Sequence, residues 1–300
     1  MRMENHPLKT AVEVAQRAKF IAHPYGVCPI GFAAHIKAYT VDALQKHYQT
    51  WYTPNNATIV VVGPYALDYV LPLVEQYFGS LAARDVPAHQ RIADPDREGL
   101  VSFIAQESKR IENVMISVDY AVPTFIKQPE KMLAMQLLVS ILSGNDERSL
   151  VKAIVKEQRL ALAMDAHYAC GKDDQHFTFN LVIAPNRSYA KAENFLFKKL
   201  HSYLKHGIPQ KDFANAKKEM LNEFEFALDG DKFLLTVADD YIDGFSKEAL
   251  ENYEKLIAAV TIAEVEEMLR LVLSKPPVLV SRIYPVGKMP KQAFNKVLSK

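Results

Sequence analysis

Little in this chain decides its chemistry at a glance. Two cysteines in 300 residues, Cys28 and Cys170, make neither a disulfide framework nor a CxxC metal knuckle. They read as free thiols in apolar surroundings and leave the redox compartment open. Charge of one sign is missing as well: 36 Lys and Arg stand against 35 Asp and Glu. No global field therefore points to nucleic acid or an anionic membrane. Basic residues are not interleaved with aromatics in any patch, so a stacking platform for single strands has no support. Long hydrophobic runs are absent, because stretches such as IVVVGPYAL are broken by Gly or Pro, and no membrane span is expected. The opening MRMENHPLKT carries no secretory pattern. A soluble chain is expected, its compartment unknown.

Catalytic signatures are equally scarce. The nine histidines form no HExxH, HxxEH or HxxxH spacing. His201 and His206 lie five apart on a predicted helix, on different faces, and read as surface residues. His167 and His176 lie on successive predicted strands, where strand packing outweighs a cross-strand metal pair. No GxSxG is present, and Gly144-Asn145-Asp146 lacks the glycine spacing and the Lys-Ser/Thr of a phosphate cradle. Glu266-Glu267 and Asp173-Asp174 read as solvated charge. No complete active site emerges, and no residue is assigned as catalytic or as a metal ligand.

What is present is a repeat. Residues 40–64, TVDALQKHYQTWYTPNNATIVVVGP, recur without a gap at 261–285, TIAEVEEMLRLVLSKPPVLVSRIYP, an offset of 221 residues. Thr40 falls on Thr261, Leu44 on Val265, Tyr48 on Leu269, Trp51 on Val272, Ile59 on Val280 and Pro64 on Pro285. The apolar positions agree through a helix and then a strand, and so long an offset implies a duplicated domain rather than a solenoid. The first copy has only 64 residues before its matching end. Roughly 120 residues of that copy are expected to precede Met1 in a complete duplication.

Along the chain, residues 7–22 predict a helix and His23–Gly31 a loop, with Gly26 and Gly31 placed for positive φ. Thr40 caps a helix ending near Pro54, with Ala43 in place of the acid that would complete a capping box. Trp51 and Tyr52 are expected to close that helix against a sheet. Asn55-Asn56 turns into ATIVVVG, expected as a buried strand, and a helix follows from Leu67 to Phe78. The mixed-charge, proline-bearing stretch 81–98 reads as a linker. Beyond it, LVSFIAQES and NVMISVDYAVP predict strands paired around Lys109-Arg110. Helices are expected at 129–142 and 147–159, a hairpin at ALAMDAHYA and HFTFNLVIA, helices over 188–206, 210–228 and, with breaks, 231–273, then the strand PVLVSRIYP. This order predicts an α+β fold of duplicated layered domains, with a largely antiparallel sheet, helices on one face, and an incomplete first copy.

The segments AHPYGVCPIG, YTVDALQKHYQTWYTPNNATIVVVG and the helix ending QYFGSL resemble the pitrilysin/insulinase family of zinc metallopeptidases. MLAMQLLVSILSG, the pair Ser149-Leu150 and LVKAIVKEQRLA extend the resemblance over nearly the whole chain. It implies duplicated α+β domains around a peptide-cutting chamber, with zinc held by HxxEH and a distant Glu. Those elements lie upstream of the HPYG segment in the family, and Glu4 is not a match for the third ligand. No zinc site is therefore expected within this chain, although zinc is expected in the complete enzyme. His23 is expected to brace its loop. The family's substrate-gripping Arg and Tyr, seven residues apart, are not both present: Tyr253 is a substrate-binding candidate, but no Arg occurs between Lys232 and Met268.

These readings divide the chain into 1–80, the C-terminal third of a catalytic-type domain, the linker 81–98, and 99–300, a complete non-catalytic domain. The expected function is the C-terminal portion of a zinc endopeptidase, acting on peptides or unfolded proteins only when completed by an HxxEH-bearing segment or subunit. The alternatives are a non-catalytic partner subunit or peptide-binding scaffold of the same family, or an unrelated α+β binding module. Either family reading implies an oligomer or an upstream segment as partner.

Overall fold

The computed structural model describes residues 7–27, 29–88, 90, 92–97, 99–109, 111–144, 150–169, 171–173, 175–228, 241, 244 and 246–291. Glu4, Cys28, Arg110, Asn145, Asp146, Ser149, Cys170, Asp174 and Lys232 lie outside the described residues, with the readings attached to them.

Helix α1 (Pro7–Lys19) starts at its proline, whose missing N–H costs nothing in a first turn. It stops short of the expected residue 22 because the N–H groups of Ile21, Ala22 and His23 turn to the Asp94 carboxylate at 2.8–3.0 Å. A tight turn at Pro24–Gly26 follows. Gly31 takes φ +74° as expected, whereas Gly26 does not; a Cβ at Gly26 would lie 3.2 Å from the Phe20 Cβ, so close packing requires it instead. Then come α2 (Ala33–Lys37), α3 (Val41–Trp51), a turn at Pro54–Asn56 and α4 (Leu67–Phe78), and the described residues from there to Val101 are irregular.

The remaining elements are β1 (Ser102–Ser108), β2 (Met115–Val122), α5 (Pro129–Ser143), a wide π-type turn at Lys152–Glu157, β3 (Ala161–Tyr168), β4 (Gln175–Ile183), α6 (Tyr189–His206), α7 (Gln210–Leu228), α8 (Lys247–Glu251), α9 (Tyr253–Ala259), α10 (Ile262–Val272) and β5 (Leu279–Pro285). They build one five-stranded sheet in the order β1-β5-β2-β4-β3. Three of its ladders are antiparallel and β1–β5 is parallel. The expected hairpin is β3–β4, with His167 opposite Thr178. The expected pairing of β1 with β2 does not occur. β5 inserts between them, Val280 facing Phe103 on one side and Val118 on the other. Proximity in the sequence points to a hairpin, but β5 takes the place between them, paired along its length with β1 and over Leu279–Ile283 with β2.

One face of the sheet holds the core. Ile116, Val118 and Tyr120 of β2 and Phe177, Phe179 and Leu181 of β4 point to it in strict alternation and bury against α5, α6 and α10. Arg282 lies on this face too. Its guanidinium meets Glu193 of α6 in a buried two-point pair, Nε–Oε1 and Nη2–Oε2 both 2.9 Å. The opposite face carries Asp119, Thr178 and Ser281, and α1 packs there across β1 and β5. Between α6 and α7, Gly207 ends the helix at φ +80°, where its N–H returns to the Tyr203 carbonyl.

The two repeats share local geometry and differ in burial. α3 and α10 are both eleven residues long, and their caps Thr40 and Thr261 sit at φ/ψ −103°/159° and −102°/158°. Leu44 is nevertheless 54% exposed and Tyr48 60%, against 0% at Val265 and 1% at Leu269. The segment ATIVVVG is extended without ladder partners among the described residues, so the expected buried strand is exposed. Tyr52 is likewise exposed, its ring stacked on Tyr48 at 5.1 Å, and closes nothing against a sheet.

Candidate functional site

A cleft of about 740 Å³ lies where α1 and the HPYG turn meet the polar face of the sheet. Residues 93–97, 99 and 100, with Lys275, Pro276 and Val278, form its other wall. Local sequence explains how it is held. The His23 side chain caps the Pro24–Gly26 turn, Nδ1 accepting from the Tyr25 N–H at 3.1 Å, while Nε2 faces Asp173 at 3.4 Å. The expected loop-bracing role of His23 is thus observed. Asp94 gathers three consecutive backbone N–H groups. Burial pushes its carboxyl up, but those donors and Arg97 outweigh it and hold it below the usual carboxylate range. Arg97 donates to the carbonyls of Ala18, Lys19 and Val278 and to Ser102 Oγ, tying the end of α1 to the starts of β1 and β5.

At the floor, the fully buried Asp119 accepts from Thr178 Oγ1 at 2.5 Å and Ser117 Oγ at 3.1 Å, with Lys19 Nζ at 2.6 Å. His176 sits beside them, the Phe20 ring edge-on at 4.6 Å. Burial drives its pKa down to about 4. Asp119 and Asp94 oppose the shift, and Lys19 and Arg97 add to it. The ring is therefore neutral at pH 7. The polar groups of this joint are turned on one another, the Thr178 and Ser117 hydroxyls and the Lys19 ammonium all engaged by Asp119. Its chemistry is that of a fastening between α1 and the sheet.

The histidines singled out in the sequence do not converge. His167 is exposed, His176 is buried against Phe20, and His201 and His206 are exposed on α6, bonded to helix carbonyls one turn back. Among the described residues no three His, Cys, Asp or Glu side chains are placed to hold one metal ion. The residues present do not fit the zinc that the family resemblance implies. Tyr253 opens α9, half-buried, its ring against Phe224 at 5.0 Å and its hydroxyl donating to Gln136 Oε1 at 3.1 Å. The residues of the joint, Lys19, Asp94, Arg97 and Asp119, were not singled out. Two signals mark them: the acid–base cluster in the supposed linker, and one carboxylate within the apolar alternation of β2.

Comparison with known proteins places this architecture among M16-type peptidases. The fold matches a protease from Helicobacter pylori with TM-score 0.85 at 20% identity, covering 95% of this chain and 68% of that one. It also matches the periplasmic protease PqqL of Escherichia coli with TM-score 0.75 at 22% identity, over 99% of this chain and 34% of that one. Residues 38–220 match the family described as the peptidase M16 inactive domain, and the chain belongs to that family. In sequence it is similar to the zinc protease PqqE of Helicobacter pylori, 22% identical over 266 residues that cover 88% of this chain and 59% of the relative. The resemblance to the pitrilysin/insulinase family is borne out, as is the layered α+β fold. The chain spans 59% of the length of that relative. Among the described residues no helix is long and apolar enough to cross a membrane.

Proposed function

We propose that this chain is the non-catalytic, C-terminal-type portion of a zinc-dependent endopeptidase of the pitrilysin/insulinase family. It acts on peptides or unfolded proteins when an HxxEH-bearing segment or subunit completes it. The observation that carries this reading is the match of residues 38–220 to the inactive domain of M16 peptidases. The exposed apolar surface of α3, α4 and the extended segment 57–63 supports the need for a completing partner. In this reading residues 1–80 belong to a catalytic-type domain, 81–98 link it, and 99–300 form the non-catalytic domain. Zinc then belongs to the completing segment.

Two measurements test this. The coding DNA ahead of Met1 and of neighbouring frames is read for an HxxEH motif. The chain is then purified alone and together with any product that carries one, and zinc content and cleavage of a quenched fluorescent peptide are followed. The expected result is neither stoichiometric zinc nor cleavage for the chain alone, and both for the pair. One equivalent of zinc bound by the chain alone, and lost on replacing His167 or His176, sinks the proposal. Peptide binding without metal in the completed pair favours the scaffold reading instead.

A further inference from the structure

The floor of the cleft beside α1 holds one polar side chain that the fastening does not use. Along β4, Phe177 and Phe179 turn to the core, while His176 and Thr178 turn to the other face. There Thr178, Ser117 and Lys19 all engage Asp119. His176 is 7% exposed and lines the cleft, yet among the described residues its ring makes no hydrogen bond. Neither ring nitrogen is sealed off, so a donor and an acceptor are presented to the cleft. A neutral imidazole carries one of each, and buried polar groups are as a rule partnered.

The surroundings of His176 narrow the chemistry of such a partner. Phe20 gives the cleft an apolar plate, held among the rings of His176 at 4.6 Å, His23 at 5.7 Å and Tyr25 at 6.0 Å. Pro95, Leu100 and Pro276 add exposed apolar surface to the walls. Charge at the floor is balanced, Asp119 and Asp94 standing near the ring against Lys19 and Arg97. The margin carries both signs too, with Lys172 and Asp173 on one segment and the exposed pair Lys275 and Asp96 at 3.6 Å. A simple anion or cation therefore gains little here. A peptide group is neutral and offers both a carbonyl acceptor and an N–H donor, which is what an imidazole with both nitrogens open can meet.

We propose that this cleft binds a short peptide with free ends, carrying an apolar side chain against Phe20, with one peptide group hydrogen-bonded to His176 and its two charged ends at the lysines and acids of the margin. The cleft of about 740 Å³ falls within the ~300–1,000 Å³ that encloses a ligand of drug size, about two to four residues of peptide. This goes beyond the functional reading above, because the site belongs to this chain itself and needs neither zinc nor cleavage.

The full chain is titrated by calorimetry with the tripeptide alanyl-phenylalanyl-alanine, and with the same peptide acetylated and amidated at its ends. The expected result is one site with a Kd of about 1 mM or tighter, weakened about tenfold or more by blocking the ends. His176→Leu and Leu100→Arg are each expected to weaken binding of the free peptide by about tenfold. Leu100 is 61% exposed, so its variant keeps the fold even if His176→Leu loosens the joint, and urea midpoints check both. In the unaltered chain the His176 ring nitrogen resonances are expected to shift on titration. No heat and no shift at about 10 mM peptide overturns the proposal. Equal affinity of the blocked peptide, or undiminished affinity in both variants, overturns it as well. N-acetylphenylalanine bound as tightly as the tripeptide replaces it with a plain carboxylate site. None of these readings involves metal or peptide cleavage, so the site stands or falls apart from the peptidase measurements.

Discussion

α3 and α10 are nearly the same object placed in two settings. Both have eleven residues, both are capped by a threonine hydroxyl at the third N–H beyond it, and both lead toward a strand-forming segment. α10 is covered by α5 and its strand lies inside a sheet. α3 is uncovered, and the segment after it has no ladder partner among the described residues. The difference teaches that caps, helix length and extended backbone are decided within about a dozen residues, while burial belongs to whatever lies across the interface.

The comparison breaks most visibly through large-to-small substitutions. Leu269→Ala is expected to cost about 3 kcal/mol, within the usual spread for an emptied core leucine site. Tyr48→Ala, its counterpart in the first repeat, is expected to change the stability of the chain alone by less than about 0.5 kcal/mol. Urea unfolding midpoints check the pair, and equal losses would mean that the first repeat is covered in solution.

The joint between the two regions is next. Asp119→Ala leaves Lys19 against the sheet without its partner and is expected to cost about 3 kcal/mol, most of it recovered by a simultaneous Lys19→Met. A double-mutant cycle in urea reads this, and additive losses would remove the buried ion pair from the account.

His176 gives the same joint a pH dependence. Its folded pKa is about 4 and its ordinary value 6.5, so between these values the unfolded chain binds the proton and the folded chain does not. Stability is therefore complete above about pH 6.5 and declines as pH falls to about 4, by on the order of 3 kcal/mol in total. His176→Leu is expected to flatten that window. The depressed Asp94 carboxyl acts separately, its contribution being lost only as pH falls below the ordinary carboxylate value of 3.8. A stability profile unchanged by His176→Leu between pH 4 and 6.5 would contradict the assignment.

The smallest effect sharpens the comparison at its origin. Thr261→Ala removes a full capping box and is expected to lower global stability by about 1 kcal/mol. Thr40→Ala is expected to leave the unfolding midpoint in place and only loosen α3, as measured by amide exchange of residues 41–44.

Most of the fold was legible because its signals are local. The β3–β4 hairpin, the helices at 129–143, 189–206 and 210–228, and the threonine caps follow from period, turn chemistry and cap residues. Nothing near residues 102–122 announces a strand at 279–285, so the local signals pair β1 with β2 while the fold puts β5 between them. The joint was missed for the same reason: Asp94 finds Ile21, Ala22 and His23, and Asp119 finds Lys19, across distances along the chain that no short motif spans. Tyr253 stood out only by resemblance, and its hydroxyl is engaged by Gln136.

By itself the sequence determined the repeat, the threonine caps, the β3–β4 hairpin and the family. Backbone conformation and side-chain period are properties of neighbouring residues. Tertiary structure alone decided that β5 enters between β1 and β2, that Asp119 and Lys19 bury together, and that Leu44 is exposed where Val265 is covered. Those outcomes depend on which surfaces compete for the same apolar area and the same hydrogen-bonding groups, and that competition is settled only when distant segments meet.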